Sequence, residues 1–128
     1  MKNTQTSLVN IETSAFSRDL LSSTIKDLEK NKQIEPDLIL LKKTYREIFD
    51  LLSILDANPK AKELLFDFVS EYRKSKRYPL SYKGFRSWSK SKEEKEKRLL
   101  GRFKRKINGV FAAYTLLCRI KHKLQETK

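Results

Sequence analysis

The residues of this chain whose types and spacing could do chemistry are concentrated at positions 78–91, which read YPLSYKGFRSWSKS. Four aromatic residues alternate there with three cations: Tyr78, Tyr82, Phe85 and Trp88 with Lys83, Arg86 and Lys90. Proteins hold single-stranded nucleic acid with cations along the phosphates and aromatic faces under the bases. The Pro, the Gly and four Ser of this segment predict a loop over residues 78–91. We therefore expect a nucleic-acid-binding loop.

The aromatic residues of this predicted loop have two interpretations. Phe85 and Trp88 could stack on bases, or they could fill the end of a helical bundle, since large aromatic side chains also dominate cores. Tyr78 and Tyr82 are the better candidates for exposure. The sequence leaves both interpretations of Phe85 and Trp88 open.

A second group of cations follows on a predicted helix. The stripe consists of Lys95, Arg98, Arg102 and Arg105, with Lys97 and Lys104 one heptad apart beside it, and Lys106 is a further candidate. The stripe members are separated by steps of three and four residues, so they share one helix face. No acidic residue occurs between Glu96 and Glu126. A rigid row of cations fits a phosphate backbone, although it is weak evidence for any narrower ligand.

A third cationic group precedes the loop. It consists of Arg73, Lys74, Lys76 and Arg77. These residues could continue the same positive surface into the loop. Alternatively, they are solvated cations at the C-terminal end of a helix, which the helix dipole favours.

The charge of the chain is divided unevenly. The 128 residues carry 29 Lys and Arg against 16 Asp and Glu, a formal net charge of +13. Residues 1–70 have a net charge of −1, whereas residues 71–128 have +14. Self-repulsion of that size destabilises a compact state unless counterions or a partner offset it. We therefore expect a polyanionic partner, RNA or single-stranded DNA.

The elements that position these residues are predicted to be helices. We expect one all-α domain over residues 1–128, a compact bundle of four to five helices. A polar arm covers residues 1–12, and a near-neutral helical half covers 13–77 with its first helix capped at Thr13 or Ser14. The loop at 78–91 is followed by a long basic helix over 92–128, either continuous or broken near Gly109.

The second helix has the clearest pattern. Pro36 fits its first turn, and Asn58 before Pro59 ends it. Its apolar seam consists of Leu38, Leu41, Tyr45, Ile48, Leu52 and Leu55. Further apolar residues widen the seam: Ile39, Leu40, Phe49, Leu51 and Ile54. We therefore expect this helix to be central and contacted from two sides.

The residue types exclude several function classes. One Cys and one His cannot form a disulfide framework or a zinc site within this chain. Cys118 fits a core position and His122 a surface position. Three carboxylates are better explained by structural pairing than by catalysis: Asp50, Asp56 and Asp67. No phosphate loop, nucleophile elbow or dinucleotide motif occurs. We expect a non-enzyme without cofactors or metal.

The location of the protein is predicted from what the chain lacks. The N-terminal residues have no apolar stretch of signal-peptide length, and no stretch approaches the 18 apolar residues of a membrane span. The single Cys and the absence of a secretory signal favour the cytoplasm, with a reduced thiol.

The size, the helical bundle and the concentrated positive face at residues 73–106 resemble the small helical subunit of CRISPR effector complexes. The resemblance covers the whole chain and is architectural, because that class has no diagnostic motif, so no functional residue carries over. It implies binding to the backbone of the guide–target duplex or of the displaced strand, without base readout. It also implies a larger ribonucleoprotein with other protein subunits, and several copies of this one.

Three other functions fit the same residues. The first is a stand-alone DNA- or RNA-binding protein, such as a phage, plasmid or ribosome-associated factor. The second is an adaptor or inhibitor that docks on an acidic protein surface. The third is a peripheral membrane protein, which would border an exposed apolar stripe with Lys and Arg.

Overall fold

A computed structural model describes residues 11–75, 82–90, 92–93, 97–98 and 106–126 of the chain. All regular secondary structure in these ranges is helical, which confirms the predicted all-α class. Five α-helices have both ends within these ranges: α1 (Arg18–Leu28), α2 (Glu35–Asp56), α3 (Pro59–Ser75), α4 (Tyr82–Ser89) and α5 (Ile107–Glu126); residues 97–98 are helical as well. In the described ranges, no helix combines the length and apolar character that crossing a bilayer requires.

The start of the chain's helical part differs from the prediction. Residues Ile11–Phe16 form a 3-10 helix that packs against α5, and α1 begins only after Ser17. Ser17 is the true N-cap, because its hydroxyl accepts from the Leu20 N–H at 3.4 Å. The caps predicted at Thr13 or Ser14 are therefore wrong. Ile11 and Glu12, assigned to a polar arm, are buried, and residues 1–10 of that arm lie outside the described residues.

Helix α2 is the central element, as the sequence predicts. It contacts α1, α3 and α5, and it has Pro36 in its first turn. Its apolar seam is buried apart from Tyr45, which is half-buried against the core. The predicted widening of the seam is mostly wrong: Leu51 is buried, but four other side chains remain 40–61% exposed, namely Ile39, Leu40, Phe49 and Ile54.

The segment predicted as a loop contains a helix. Helix α3 ends at Ser75, and Tyr82–Ser89 form α4. Phe85 and Trp88 are three residues apart, so a helix turns both toward α3 and α5. A Cβ on Gly84 would overlap the Tyr72 hydroxyl, so the glycine that indicated a loop is a point of close approach between helices.

Helix α5 begins later than the sequence indicates. Lys106 is in a turn, and its carbonyl accepts the N–H groups of Gly109 and Val110 at 3.0 and 3.3 Å. Of the two alternatives that the sequence leaves open, the structure therefore favours the broken helix, with the turn at Lys106 three residues before Gly109. A Cβ on Gly109 would overlap the buried Ile48 side chain, so the glycine lets α5 approach α2 closely.

Asp56 joins three helices at the end of α2. Its carboxylate accepts the Arg18 N–H of α1 at 3.0 Å and the Lys62 ammonium of α3 at 2.7 Å. Burial alone would raise the pKa of Asp56, but hydrogen bonds from Lys62, Ser17 and Arg18 outweigh it and lower that pKa below its ordinary value. This stabilisation is therefore present at neutral pH and is lost as the pH falls below that ordinary value. The predicted structural pairing of Asp56 is confirmed.

Candidate nucleic-acid interface

Helix α4 is held in place by an aromatic cluster. The fully buried Phe68 of α3 is at its centre, with ring centroids 5.1 Å from Phe85 and 5.5 Å from Trp88. Phe85 also contacts Phe111 of α5 at 5.7 Å. The Trp88 indole N–H donates to the Glu71 carboxylate of α3. One face of this short helix is therefore fixed to the bundle.

The other face of α4 is cationic. Lys83 and Arg86 lie on α4 and Lys90 lies in the turn directly after it; all three are exposed, and their spacing of three and four residues places them along one side of this segment. Phe85 and Trp88 lie on the opposite side of the helix. Residues 82–90 contain no acidic side chain. This set of three, the α4 row, spans about 10 Å at 1.5 Å per residue.

The Trp88 ring packs on the protein itself, whereas its residue type suggests a ring that stacks on a base. Its ring stacks on Phe85 at 5.9 Å with an interplanar angle of 30°. The Lys92 ammonium lies 4.2 Å from the centroid of the Trp88 ring. Both Phe85 and Trp88 thus pack on the bundle. Of the two interpretations of Phe85, stacking on bases or filling the core, the second is correct. Sequence reasoning missed Lys92, although a Trp and a Lys four residues apart were a usable signal.

The remaining predicted site residues are only partly described. Lys74, Arg98 and Lys106 are exposed. Lys74 belongs to a different surface from the α4 row, because it lines a groove of about 290 Å³ with Phe66 and Ser70. The side chains of Arg73 and Tyr82, which lie in helices, are outside the described residues, as are Lys76, Arg77, Tyr78, Lys95, Arg102, Lys104 and Arg105.

Part of the positive charge of the second half is structural. Lys121 of α5 lies 3.3 Å from Glu12, whose side chain is 2% exposed. Lys123 and Arg119 of α5 lie 2.7 and 3.4 Å from Asp37, at the start of α2. These cations therefore neutralise acids of the near-neutral half, and the excess available for a ligand is smaller than the net charge of residues 71–128 suggests.

The other residues weighed from the sequence line a second groove. Cys118 and His122 border a space of about 470 Å³ together with Glu12 and Lys121. His122 is exposed, as predicted, and Cys118 is half-buried against the core. In the ranges that the structure covers, no group of three or more His, Cys, Asp or Glu is arranged to hold a metal ion.

Comparison with known proteins gives no match: no family model, no curated protein and no solved structure is similar to this chain.

Proposed function

We propose that this protein binds the backbone of nucleic acid without reading its bases, through the α4 row and the cations next to it. The observation that carries the proposal is the position of Lys83 and Arg86 on the exposed face of a helix whose other face is anchored in the core, with exposed Lys90 in the turn that follows. Anchoring matters because a fixed row of cations meets phosphates with little loss of conformational freedom.

The energetics of α4 favour a polyanion over a merely solvated face. Like charges three and four residues apart destabilise a helix by about 0.2–0.5 kcal/mol per pair. Lys83 with Arg86 is such a pair within α4, Lys90 adds a third positive charge in the turn after it, and residues 82–90 offer no carboxylate to relieve the repulsion. Phosphates placed along the row would turn this repulsion into attraction. Its length of about 10 Å matches about three nucleotides of a stacked strand.

The side chains of the row are cations, which attract the phosphates of any sequence, although Arg and Lys also contact guanine edges in some complexes. Asn and Gln, which recognise adenine, are absent from residues 82–90. Trp88 supports the proposal as a positioning residue, since its ring packs on Phe85 and carries the Lys92 ammonium on the same short segment. We therefore expect tolerance of base sequence, with affinity that comes from charge.

The first test is the salt dependence of the affinity of the unmodified protein. Labelled single-stranded RNA, single-stranded DNA and duplex DNA, each in two unrelated sequences, are titrated by fluorescence anisotropy. Each phosphate contact to a single strand contributes about 0.7 to the slope of log affinity against log salt. Three contacts from the α4 row alone predict a loss of about 20-fold between 50 and 200 mM salt. Salt-independent affinity, or a strong preference for one sequence, would contradict the proposal.

The resemblance to the small subunit of CRISPR effectors supplies a context for this activity. In that context the protein is a ribonucleoprotein subunit that lies along a guide–target duplex or a displaced strand. Exposed apolar side chains at the start of α2, Ile39 and Leu40, support protein neighbours in addition to nucleic acid. A subunit would keep its protein partners after nuclease treatment of a cell extract, whereas a stand-alone binder would be released alone.

A further inference from the structure

A groove between α1 and α2 has no part in the proposed nucleic-acid surface. It encloses about 330 Å³, and it is lined by side chains of these two helices. Its floor is apolar: Ile25 of α1 is buried, Tyr45 is half-buried against the core, and Phe49 is 40% exposed. The groove is thus open to solvent above a floor that belongs to the core.

The rim of this groove is cationic. Lys26 of α1 and Lys42 and Arg46 of α2 line it. Lys42 is paired with Glu29 at 2.5 Å, at the end of α1. Lys26 and Arg46 are exposed, and within the described part of the chain neither takes part in an ion pair. An occupant with carboxylates beside its apolar side chains would therefore complement both floor and rim.

Two other occupants fit less well. A second copy would bring another chain of net charge +13 to a cationic rim, which opposes self-association. A nucleobase needs a free aromatic face, but the Arg18 guanidinium already lies 5.6 Å from the Phe49 centroid. The Tyr45 ring meets Phe49 edge-on, at 88°, so the two rings do not form parallel plates for a base.

We infer that this groove docks an acidic amphipathic helix of a protein partner. Its apolar side chains enter between Tyr45, Phe49 and Ile25, and its carboxylates face Lys26 and Arg46. This is recognition of a helix in a groove, in which apolar anchors supply affinity and the flanking charges supply orientation and selectivity. The groove is lined by α1 and α2 only, so this inference does not depend on the proposed function of α4.

The experiment uses the full chain, no nucleic acid and a designed peptide as the probe. The anchored peptide has about 15 residues, with Leu on one helical face and Glu elsewhere. A matched peptide replaces each Leu with Ser and keeps every Glu, which measures simple attraction to a basic protein. Binding is measured by anisotropy for the unmodified protein, Phe49→Ala, Arg46→Gln and a groove-filling variant, Ser22→Trp. A variant with Lys83→Gln, Arg86→Gln and Lys90→Gln is the control.

We expect the anchored peptide to bind the unmodified protein at least about tenfold more tightly than the Ser peptide, because burial of one or two apolar anchors is worth that factor. We expect about a tenfold loss of affinity for the anchored peptide in each of three variants: Phe49→Ala, Arg46→Gln and Ser22→Trp. The α4 control should bind this peptide with an affinity within about twofold of the unmodified protein. Ser22→Trp tests the groove even if Phe49→Ala disturbs folding.

Three results would overturn the inference. Equal binding of the two peptides, or none, would show only attraction to net charge or no docking at all. Full affinity in both Phe49→Ala and Ser22→Trp would place the peptide elsewhere. A loss of oligonucleotide affinity in Phe49→Ala, with peptide binding intact, would assign the groove to nucleic acid.

Discussion

Phe68→Ala is expected to lower the free energy of unfolding by about 3–5 kcal/mol, the range for deleting a fully buried phenylalanine. Phe68 has no solvent exposure and joins α3, α4 and α5. Its ring centroid lies 4.6–5.5 Å from those of four aromatic neighbours, Tyr72, Phe85, Trp88 and Phe111. Replacement by Ala leaves a cavity among rings that cannot all move to fill it. Urea denaturation followed by circular dichroism measures the loss.

Phe66→Ala is the matched control for this prediction. Phe66 lies two residues away on the same helix, is 38% exposed, and meets Phe16 edge-on at 5.3 Å. We expect its replacement to cost less than about 2 kcal/mol, because less apolar surface is lost and no closed cavity forms. Equal losses for Phe66→Ala and Phe68→Ala would contradict the placement of Phe68 at the centre of the cluster.

Lys121→Met is expected to destabilise the fold by about 3 kcal/mol at neutral pH, because it removes one partner of a buried ion pair. Methionine keeps the apolar stem of lysine and removes the ammonium that lies 3.3 Å from the Glu12 carboxylate. Glu12 is 2% exposed, so its carboxylate has little contact with water and the ammonium is an important source of its stabilisation. The same denaturation experiment measures this loss.

Lys123→Met provides the comparison on the same helix. Lys123 is 43% exposed, and its partner Asp37 keeps Arg119 at 3.4 Å when Lys123 is removed. The expected cost is below about 1 kcal/mol, because the removed cation is itself exposed and the buried Asp37 carboxylate keeps Arg119 as a partner. A larger loss of unfolding free energy for Lys123→Met than for Lys121→Met would show that side-chain exposure does not determine how much these ion pairs stabilise the fold.

The helices of the near-neutral half could be predicted from the sequence because their determinants are local. Pro36 lies in the first turn of α2, and Asn58 with Pro59 separates α2 from α3. The Asn58 side chain accepts the Ala61 N–H at 3.4 Å, which is a local cap of the same kind as Ser17. A seam at helical spacing then shows which face of α2 is buried.

Helix α4 could not be predicted because its stability comes from distant residues. Gly84 and the serines around it favour a loop in isolation. The helix forms where Phe85 and Trp88 meet Phe68, which is 17 residues before Phe85 in the sequence. Tertiary packing thus overrides weak helix propensity. The same holds for Ile11, which belongs to the predicted polar arm but is buried in a 3-10 helix that packs against α5.

The sequence predicts which residues belong to the candidate site, but it does not predict how these residues are arranged on the surface. The positions of Lys83, Arg86 and Lys90 were identified from composition, and only a helix shows that they form one row. The pairing of Lys121 with Glu12 joins residues 109 positions apart, so no local pattern reveals it. For that reason the sequence overstates how much charge the second half offers to a ligand.

The most direct test of nucleic-acid binding by α4 compares two variants of equal charge. One carries Lys83→Gln, Arg86→Gln and Lys90→Gln; the other carries Lys30→Gln, Lys32→Gln and Lys43→Gln, three exposed cations of the near-neutral half. The salt dependence of affinity for one single-stranded RNA is measured for both. We predict that the slope of log affinity against log salt falls by about 2 in the α4 variant and by less than about 0.5 in the control. Equal decreases, or an unchanged slope in the α4 variant, would contradict binding through this row.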